Sequence, residues 1–195
     1  QGYVATHGTS PATRSKLPYD AIRDFTPVGM IGATPNVLVV NASVPVATIA
    51  EFVAYLKKTP GAATYGSAGQ GSLTHLTMEL FKTVTGIDAV HVPYAGSPPA
   101  GTSLAAGETQ ALFTVAPALL PLIQGGRVKL LAATSAKRTD TMPNLPTVAE
   151  SGYPGFEALA WNGLVVPAAT PGAVVQKINA EVGAILKQPE IVQKM

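Results

Sequence analysis

The chain has 195 residues, 47% hydrophobic and 12% charged, with Lys+Arg 13 against Asp+Glu 11 for a net charge of +2. A charged share about half the usual ~25% marks a well-buried protein with a mild surface and excludes a disordered chain. No basic run marks a nucleic-acid footprint and no apolar run of about 18 residues marks a membrane span, while the absence of cysteine excludes thiol chemistry, disulfides and cysteine metal sites and is compatible with an oxidising compartment.

The opening Gln1-Gly2-Tyr3-Val4 has strand character from its first residues, which reads as a processed or truncated start. Residues 2–6 are expected to form a short strand, followed by a small polar turn, Thr6-His7-Gly8-Thr9-Ser10-Pro11. Residues 17–28 carry Pro18 and Pro27 and read as a connecting segment with one helical turn. Residues 28–31 and 36–40 are apolar, β-branched runs divided by a turn, suited to buried strands. Thr48-Ile49-Ala50-Glu51 is a capping box, and its helix shows Ile49, Phe52, Val53 and Leu56 on one face before Pro60-Gly61 stops it.

Residues 64–76, Thr-Tyr-Gly-Ser-Ala-Gly-Gln-Gly-Ser-Leu-Thr-His-Leu, run from a strand through a glycine-rich turn into an amphipathic helix. Ser72 suits the N-cap, Gly86 closes the helix, and Leu73, Leu76, Leu80 and Val84 form its apolar positions. Such a turn sets unpaired backbone N–H groups at the positive end of a helix dipole, where a carboxylate or phosphate can be held. The same spacing also describes an ordinary strand-to-helix connection with a well-made cap.

A short strand over 89–93 leads into another polar turn, Tyr94-Ala95-Gly96-Ser97-Pro98-Pro99, and a small-residue helix near 99–106 that ends at Gly107. A strand over 109–115, a short helix over 119–123 before Gly125-Gly126, and an apolar strand over 128–134 follow. Residues 138–146 are an irregular loop, and Thr147-Val148-Ala149-Glu150 is a second capping box stopped at Gly152. Residues 158–166, with Trp161, read as an extended segment. Thr170 caps the last helix with Pro171 at its first position, and Val174, Ile178, Val182 and Ile185 repeat on one face. Alternating strands and helices imply a largely parallel sheet covered on both faces, with ligands beyond the carboxyl ends of its strands. The polar turns at 6–11, 66–72 and 94–98 all occupy that kind of place.

Catalytic readings of the glycine turn fail one by one. A phosphate-binding Walker loop needs lysine after its glycines, and here they lead to Ser72-Leu73. A dinucleotide fingerprint needs a third glycine where Thr74 stands, and a hydrolase elbow needs glycine where Tyr65 precedes Ser67. His7, His75 and His91 have no metal-ligand spacing; His75 faces the turn from the first helical turn, and His91 reads as a satisfied strand histidine. No carboxylate pair sits in two adjacent polar turns, so acid-base hydrolysis lacks its parts and binding without chemistry is the reading.

A series of short motifs in order then carries a resemblance. It begins with Leu17-Pro18-Tyr19-Asp20, Arg23-Asp24-Phe25-Thr26-Pro27-Val28, Tyr65-Gly66-Ser67-Ala68-Gly69 with His75, and His91-Val92-Pro93-Tyr94-Ala95-Gly96. It continues through Leu131-Ala132-Ala133-Thr134-Ser135, Pro146-Thr147-Val148-Ala149-Glu150-Ser151-Gly152, Trp161-Asn162-Gly163-Leu164 and Pro167-Ala168-Ala169-Thr170-Pro171. Over nearly the whole chain the sequence resembles the tripartite tricarboxylate transporter substrate-binding proteins, the Bug receptors.

The resemblance implies a type II periplasmic-binding fold of two mainly parallel-sheet α/β domains joined by a hinge. It assigns residues 1–37 and 165–195 to an incomplete first domain and 38–164 to the second. It implies a periplasmic receptor, without cofactor, metal or catalysis, that captures a small organic carboxylate in the interdomain cleft and passes it to transporter membrane subunits. A sensory variant would dock on a kinase ectodomain, and a phosphate- or cofactor-binding α/β enzyme is the reading from another class. Ser67, Ala68, Gly69, Gly71, Ser72 and His75 match the family's second-domain loop, Thr9 and Ser10 its early polar turn, and Tyr94 with Gly96 the edge of the cleft. Two departures stand out. Family members begin with a further segment carrying the other half of the carboxylate clamp, and they often have aspartate where Thr114 stands, which argues for a plain di- or tricarboxylate over an amino acid.

Overall fold

The computed structural model describes residues 1–193, and the chain divides into two units. One holds Gln1–Thr34 and the chain from Ala160 onward; the other is Pro35–Leu159. In chain order the elements are β1 (Gly2–Tyr3), α1 (Ser10–Thr13), β2 (Phe25–Asn41), α2 (Ile49–Lys58), β3 (Thr64–Ser67), α3 (Leu73–Thr85), β4 (Val90–Pro93) and α4 (Ser97–Ala106). Then follow β5 (Ala111–Val115), α5 (Leu120–Gln124), β6 (Val128–Ala133), β7 (Leu159–Pro167), α6 (Gly172–Ile185) and α7 (Pro189–Val192).

In the second unit the strand order is β6-β2-β5-β3-β4. The expected α/β class holds, but the sheet is mixed. β3 pairs β4 and β5 in parallel, whereas β2 runs antiparallel to both β5 and β6. β2 alternates between two cores, as the pleat requires. Leu38 and Val40 join Phe52, Tyr65, Met78, Phe81 and Phe113 on the side of α2 and α3, while Val37 and Val39 join Ala100, Leu104, Leu112 and Leu119 on the side of α4. Full burial of a side chain such as Phe81 stabilises the unit by roughly 1.5–3 kcal/mol.

β2 is one strand of 17 residues, not two runs with a turn between them. Pro35 is tolerated because the ladder to β5 opens only at Asn36 opposite Val115 and that to β6 at Val37 opposite Ala133, so neither ladder needs its missing N–H. The α2 capping box forms as read: Thr48 Oγ1 accepts Glu51 N–H at 3.2 Å, and Glu51 Oε2 accepts Thr48 N–H at 3.2 Å. Thr147 and Glu150 exchange the same pair of bonds, each at 3.0 Å, around a turn.

The buried face of α3 differs from the leucine stripe. Thr74, Thr77, Met78, Phe81 and Thr85 are buried, while Leu80 and Val84 are exposed. Met78 and Phe81 fill the core more fully than the leucines would, and threonine can accompany them because its hydroxyl bonds within the helix. Thr77 donates to Leu73 O at 2.7 Å and Thr85 to Phe81 O at 2.6 Å.

In the first unit β7 lies between β1 and β2, with Gly2 opposite Gly163. The expected strand over 2–6 stops at Tyr3. Residues Val4–Thr9 form a π-helical turn that runs into α1, so the polar stretch 6–11 is helical, not an open turn. α6 starts one residue later than read, with Pro171 at the N-cap position and no side-chain cap. Asn179 Nδ2 donates to Val28 O at 2.6 Å and ties α6 to β2; of its apolar stripe, Val174 and Ile185 are exposed.

Candidate functional site

The segment between β3 and α3 folds as two local decisions. Gly69 and Gly71 take φ of 120° and 72°, a region that costs a side-chain-bearing residue energy, and Ser72 then opens the helix from an extended backbone. Ser72 Oγ accepts His75 N–H at 3.3 Å, the expected N-cap bond, and Gly86 at φ 67° closes α3 in the left-handed conformation.

Most of the loop's amides already have partners. Ala68 N–H donates to Thr74 Oγ1 at 2.8 Å, Gly69 N–H to Ser67 Oγ at 3.1 Å, Gly71 N–H to His75 Nδ1 at 3.2 Å and Ser72 N–H to Gly69 O at 3.1 Å. The N–H groups of Gln70, Leu73 and Thr74 have no partner among the described residues. These are the donors left over at the positive end of α3. The sequence reading named the glycines and serines around them and missed Gln70, Leu73 and Thr74; cap geometry, in which the first helical amides lack internal partners, was the signal that could have found them.

Three rings cluster beside the loop. His75 stacks on His91 with centroids 4.0 Å apart, His91 on Tyr65 at 5.0 Å, and the His75 and Tyr65 centroids are 6.4 Å apart. The parallel β3–β4 register, Tyr65 opposite His91, places two of the three rings. His91 Nε2 lies 2.6 Å from Ser67 Oγ, and the Tyr65 hydroxyl donates to Glu79 Oε1 at 2.5 Å. Lys82 Nζ meets the same carboxylate oxygen at 3.0 Å. Burial, with Lys82 nearby, holds His75 below its ordinary value against the pull of Glu79. Burial and then the neighbouring His75 do the same to His91. Burial and the Glu79 hydrogen bond push the Tyr65 hydroxyl far upward, and although burial opposes it, Glu79 is held low by Tyr65 and Lys82.

Ser67 beside an imidazole has the look of a nucleophile and its base, but the serine is fully buried and its oxygen is already engaged with Gly69 and His91. That arrangement braces the loop. Tyr94 N–H donates to Ser67 O at 3.0 Å, and a Cβ on Gly69 would come within 3.3 Å of Tyr94 O, so the turn after β4 packs directly on this loop. The Tyr94 hydroxyl is bonded to Ser103 Oγ, and Gly96 at φ 116° forms the N-cap of α4. The second unit thus brings together Ser67, Ala68, Gly69, Gly71, Ser72, His75 and Tyr94, with Gly96 two residues along. Thr9 and Ser10 belong to the first unit, where Thr9 Oγ1 donates to Ala5 O at 3.3 Å. Thr114 is fully buried in β5, and its hydroxyl has no partner among the described residues.

Comparison with known proteins decides the family. The profile described as "Tripartite tricarboxylate transporter family receptor" matches residues 2–195. The chain belongs to this receptor family. Among solved members, R. palustris Rpa4515 with adipate superposes with a TM-score of 0.87 at 38% identity, covering 99% of this chain and 64% of that one. MatC (Rpa3494) from Rhodopseudomonas palustris with bound malate gives 0.80 at 31% identity, covering 97% of this chain and 65% of that one. A UPF0065 protein from the tcbD-tcbE intergenic region of Pseudomonas sp. (strain P51) is 35% identical over 181 residues, which are 92% of this chain and 54% of that protein. The chain therefore spans about half the length of the curated relatives it matches. The periplasmic-binding-protein class expected of the fold agrees with these receptor structures.

Proposed function

We propose that this receptor-family chain serves to capture a small organic carboxylate in the periplasm and hand it to the membrane subunits of a tripartite tricarboxylate-type transporter. The observation that carries the reading is the set of partnerless amides of Gln70, Leu73 and Thr74 at the start of α3. An anion there gains hydrogen bonds from fixed donors and a favourable helix dipole without displacing any internal bond. Relatives solved with adipate and with malate support a dicarboxylate as the ligand class.

In this reading Ser67, Thr74, His75 and His91 shape the loop, the two units serve as counterparts of the receptor's two lobes, and Tyr94 and Gly96 border the same site. Thr9 and Ser10 are the first unit's candidate contacts. Binding without turnover is the reading supported by a serine hydroxyl that is buried and already hydrogen-bonded.

The test is a thermal-shift screen against adipate, malate, succinate, citrate, glutamate and nicotinate, with a nucleotide as comparison. A ligand at a hundredfold excess over its Kd stabilises the protein by about 2.7 kcal/mol. Stabilisation by a dicarboxylate is the expected result. A melting point that no carboxylate moves while the nucleotide does overturns the reading.

A further inference from the structure

Gly71 N–H donates to Nδ1 of His75, so that ring nitrogen carries no proton and the imidazole is neutral with its hydrogen on Nε2. The other bonded amides of the loop end on groups that do not titrate near neutrality: Thr74 Oγ1, Ser67 Oγ and Gly69 O. Gly71 is also the least wedged of the loop glycines. A Cβ there would meet nothing within 4 Å, whereas one on Gly69 would meet Tyr94 O at 3.3 Å. Space beside Gly71 is therefore open, and its amide is the one in the loop held by a titratable acceptor.

We propose that His75 is a proton-linked positioning residue, so that carboxylate capture by the loop is coupled to protonation of its ring and release of the Gly71 amide. The proposal rests on the carboxylate reading of the same loop. A proton taken from solvent onto Nδ1 turns the acceptor into a donor, and two donors cannot share the contact. Gly71 N–H then joins those of Gln70, Leu73 and Thr74 as a donor to the ligand. The imidazolium adds positive charge within the first turn of α3. Both changes favour an anion, and by linkage a bound anion favours the proton.

The groups around His75 allow one such charge. From β4 the His91 ring stacks at 4.0 Å, close enough that two imidazoliums would repel, so the pair takes up a single proton. From β3 the Tyr65 ring lies at 6.4 Å, its hydroxyl committed to Glu79. On α3 itself Glu79 favours the charged ring and Lys82 opposes it. His91 stays the neutral partner that contacts Ser67 Oγ at 2.6 Å and keeps the strand end of the loop in place while the Gly71 end is released.

The experiment follows the histidine rings by NMR from about pH 5 to pH 8, the range in which histidine changes charge, with and without saturating adipate, and measures adipate affinity over the same range. The expected results are a neutral His75 with the Nε2–H tautomer at high pH, a Gly71 amide signal that moves with the His75 titration, and a His75 pKa raised by adipate. Affinity should strengthen as pH falls, by no more than about tenfold per pH unit for one proton. In His75→Asn, whose side-chain oxygen can still accept from Gly71, the strengthening should vanish, leaving only the loss of affinity that protonation of adipate's own carboxyl groups brings as pH falls. A His75 titration unmoved by bound adipate, or a wild-type slope in His75→Asn, overturns the coupling alone. No binding of adipate or malate at any pH by the folded protein overturns the carboxylate reading and the coupling with it.

Discussion

Ser67 Oγ and His91 Nε2 meet 2.6 Å apart across the β3–β4 pair, and through that contact a strand side chain braces the loop between β3 and α3. The serine oxygen also accepts Gly69 N–H at 3.1 Å, so one buried atom ties the second residue of the loop to the neighbouring strand. Ser67→Ala removes these two bonds and the contact with Gly69 O at 3.2 Å, leaving a donor and a ring nitrogen unpaired, a change that costs about 1–3 kcal/mol of stability. It should also weaken carboxylate affinity, since Gly69 would lose its anchor. Urea denaturation and adipate titration of the variant check the two effects together; a stability loss with unchanged affinity would separate the brace from the site.

The two loop glycines should respond unequally to alanine. Gly69 combines φ of 120° with a Cβ position only 3.3 Å from Tyr94 O, whereas Gly71 has φ of 72° and open space. Gly71→Ala should cost on the order of 1–2 kcal/mol, the penalty of a left-handed conformation. Gly69→Ala adds a backbone collision to a conformation alanine rarely takes, so it should be the more damaging of the pair. Melting temperatures of both variants decide it, and an equal or reversed ranking would show that the turn relaxes where these contacts say it cannot.

Local chemistry was legible from the residues alone. Thr48 with Glu51, Ser72, Gly86 and Gly107 each mark a helix end through bonds that reach four residues at most, and all four sit where their spacing placed them. What depended on strand register was not legible. Nothing in the sequence says that His91 lies opposite Tyr65, so the stacking of two histidines on one tyrosine emerged only with the fold. The continuous β2 was hidden by Pro35, which looks like a breaker until the ladder is seen to start at Asn36. The partnerless amides were foreseen as a class, but the partners of Ala68, Gly69, Gly71 and Ser72 could not be, because threonine and histidine side chains from α3 fold back to supply two of them.

The stacked histidine pair also predicts how stability follows pH. His75 and His91 are both held below the ordinary 6.5, first by burial. As pH falls through that value the unfolded chain takes up protons before the folded one does. The stability that neutral rings contribute is therefore complete above the unfolded value and is lost as pH drops toward the folded ones. Denaturation midpoints across this window should decline on the acid side, and less steeply in His75→Asn. A flat profile would mean that the two rings titrate alike in folded and unfolded chains.

Two N-caps of similar chemistry offer a test of position. Thr48 caps α2 through Glu51 N–H, and Ser72 caps α3 through His75 N–H. Thr48→Ala should cost about 1 kcal/mol by loss of the cap and leave carboxylate affinity unchanged. Ser72→Pro is accommodated by a φ of −67°, yet it removes the cap and the N–H that donates to Gly69 O. It should destabilise the protein by about 1–2 kcal/mol and abolish the thermal shift with adipate and malate, because the loop loses the bond that closes it over the start of α3. Calorimetry on both variants makes the comparison. Retained adipate affinity in Ser72→Pro would place the carboxylate elsewhere in the molecule.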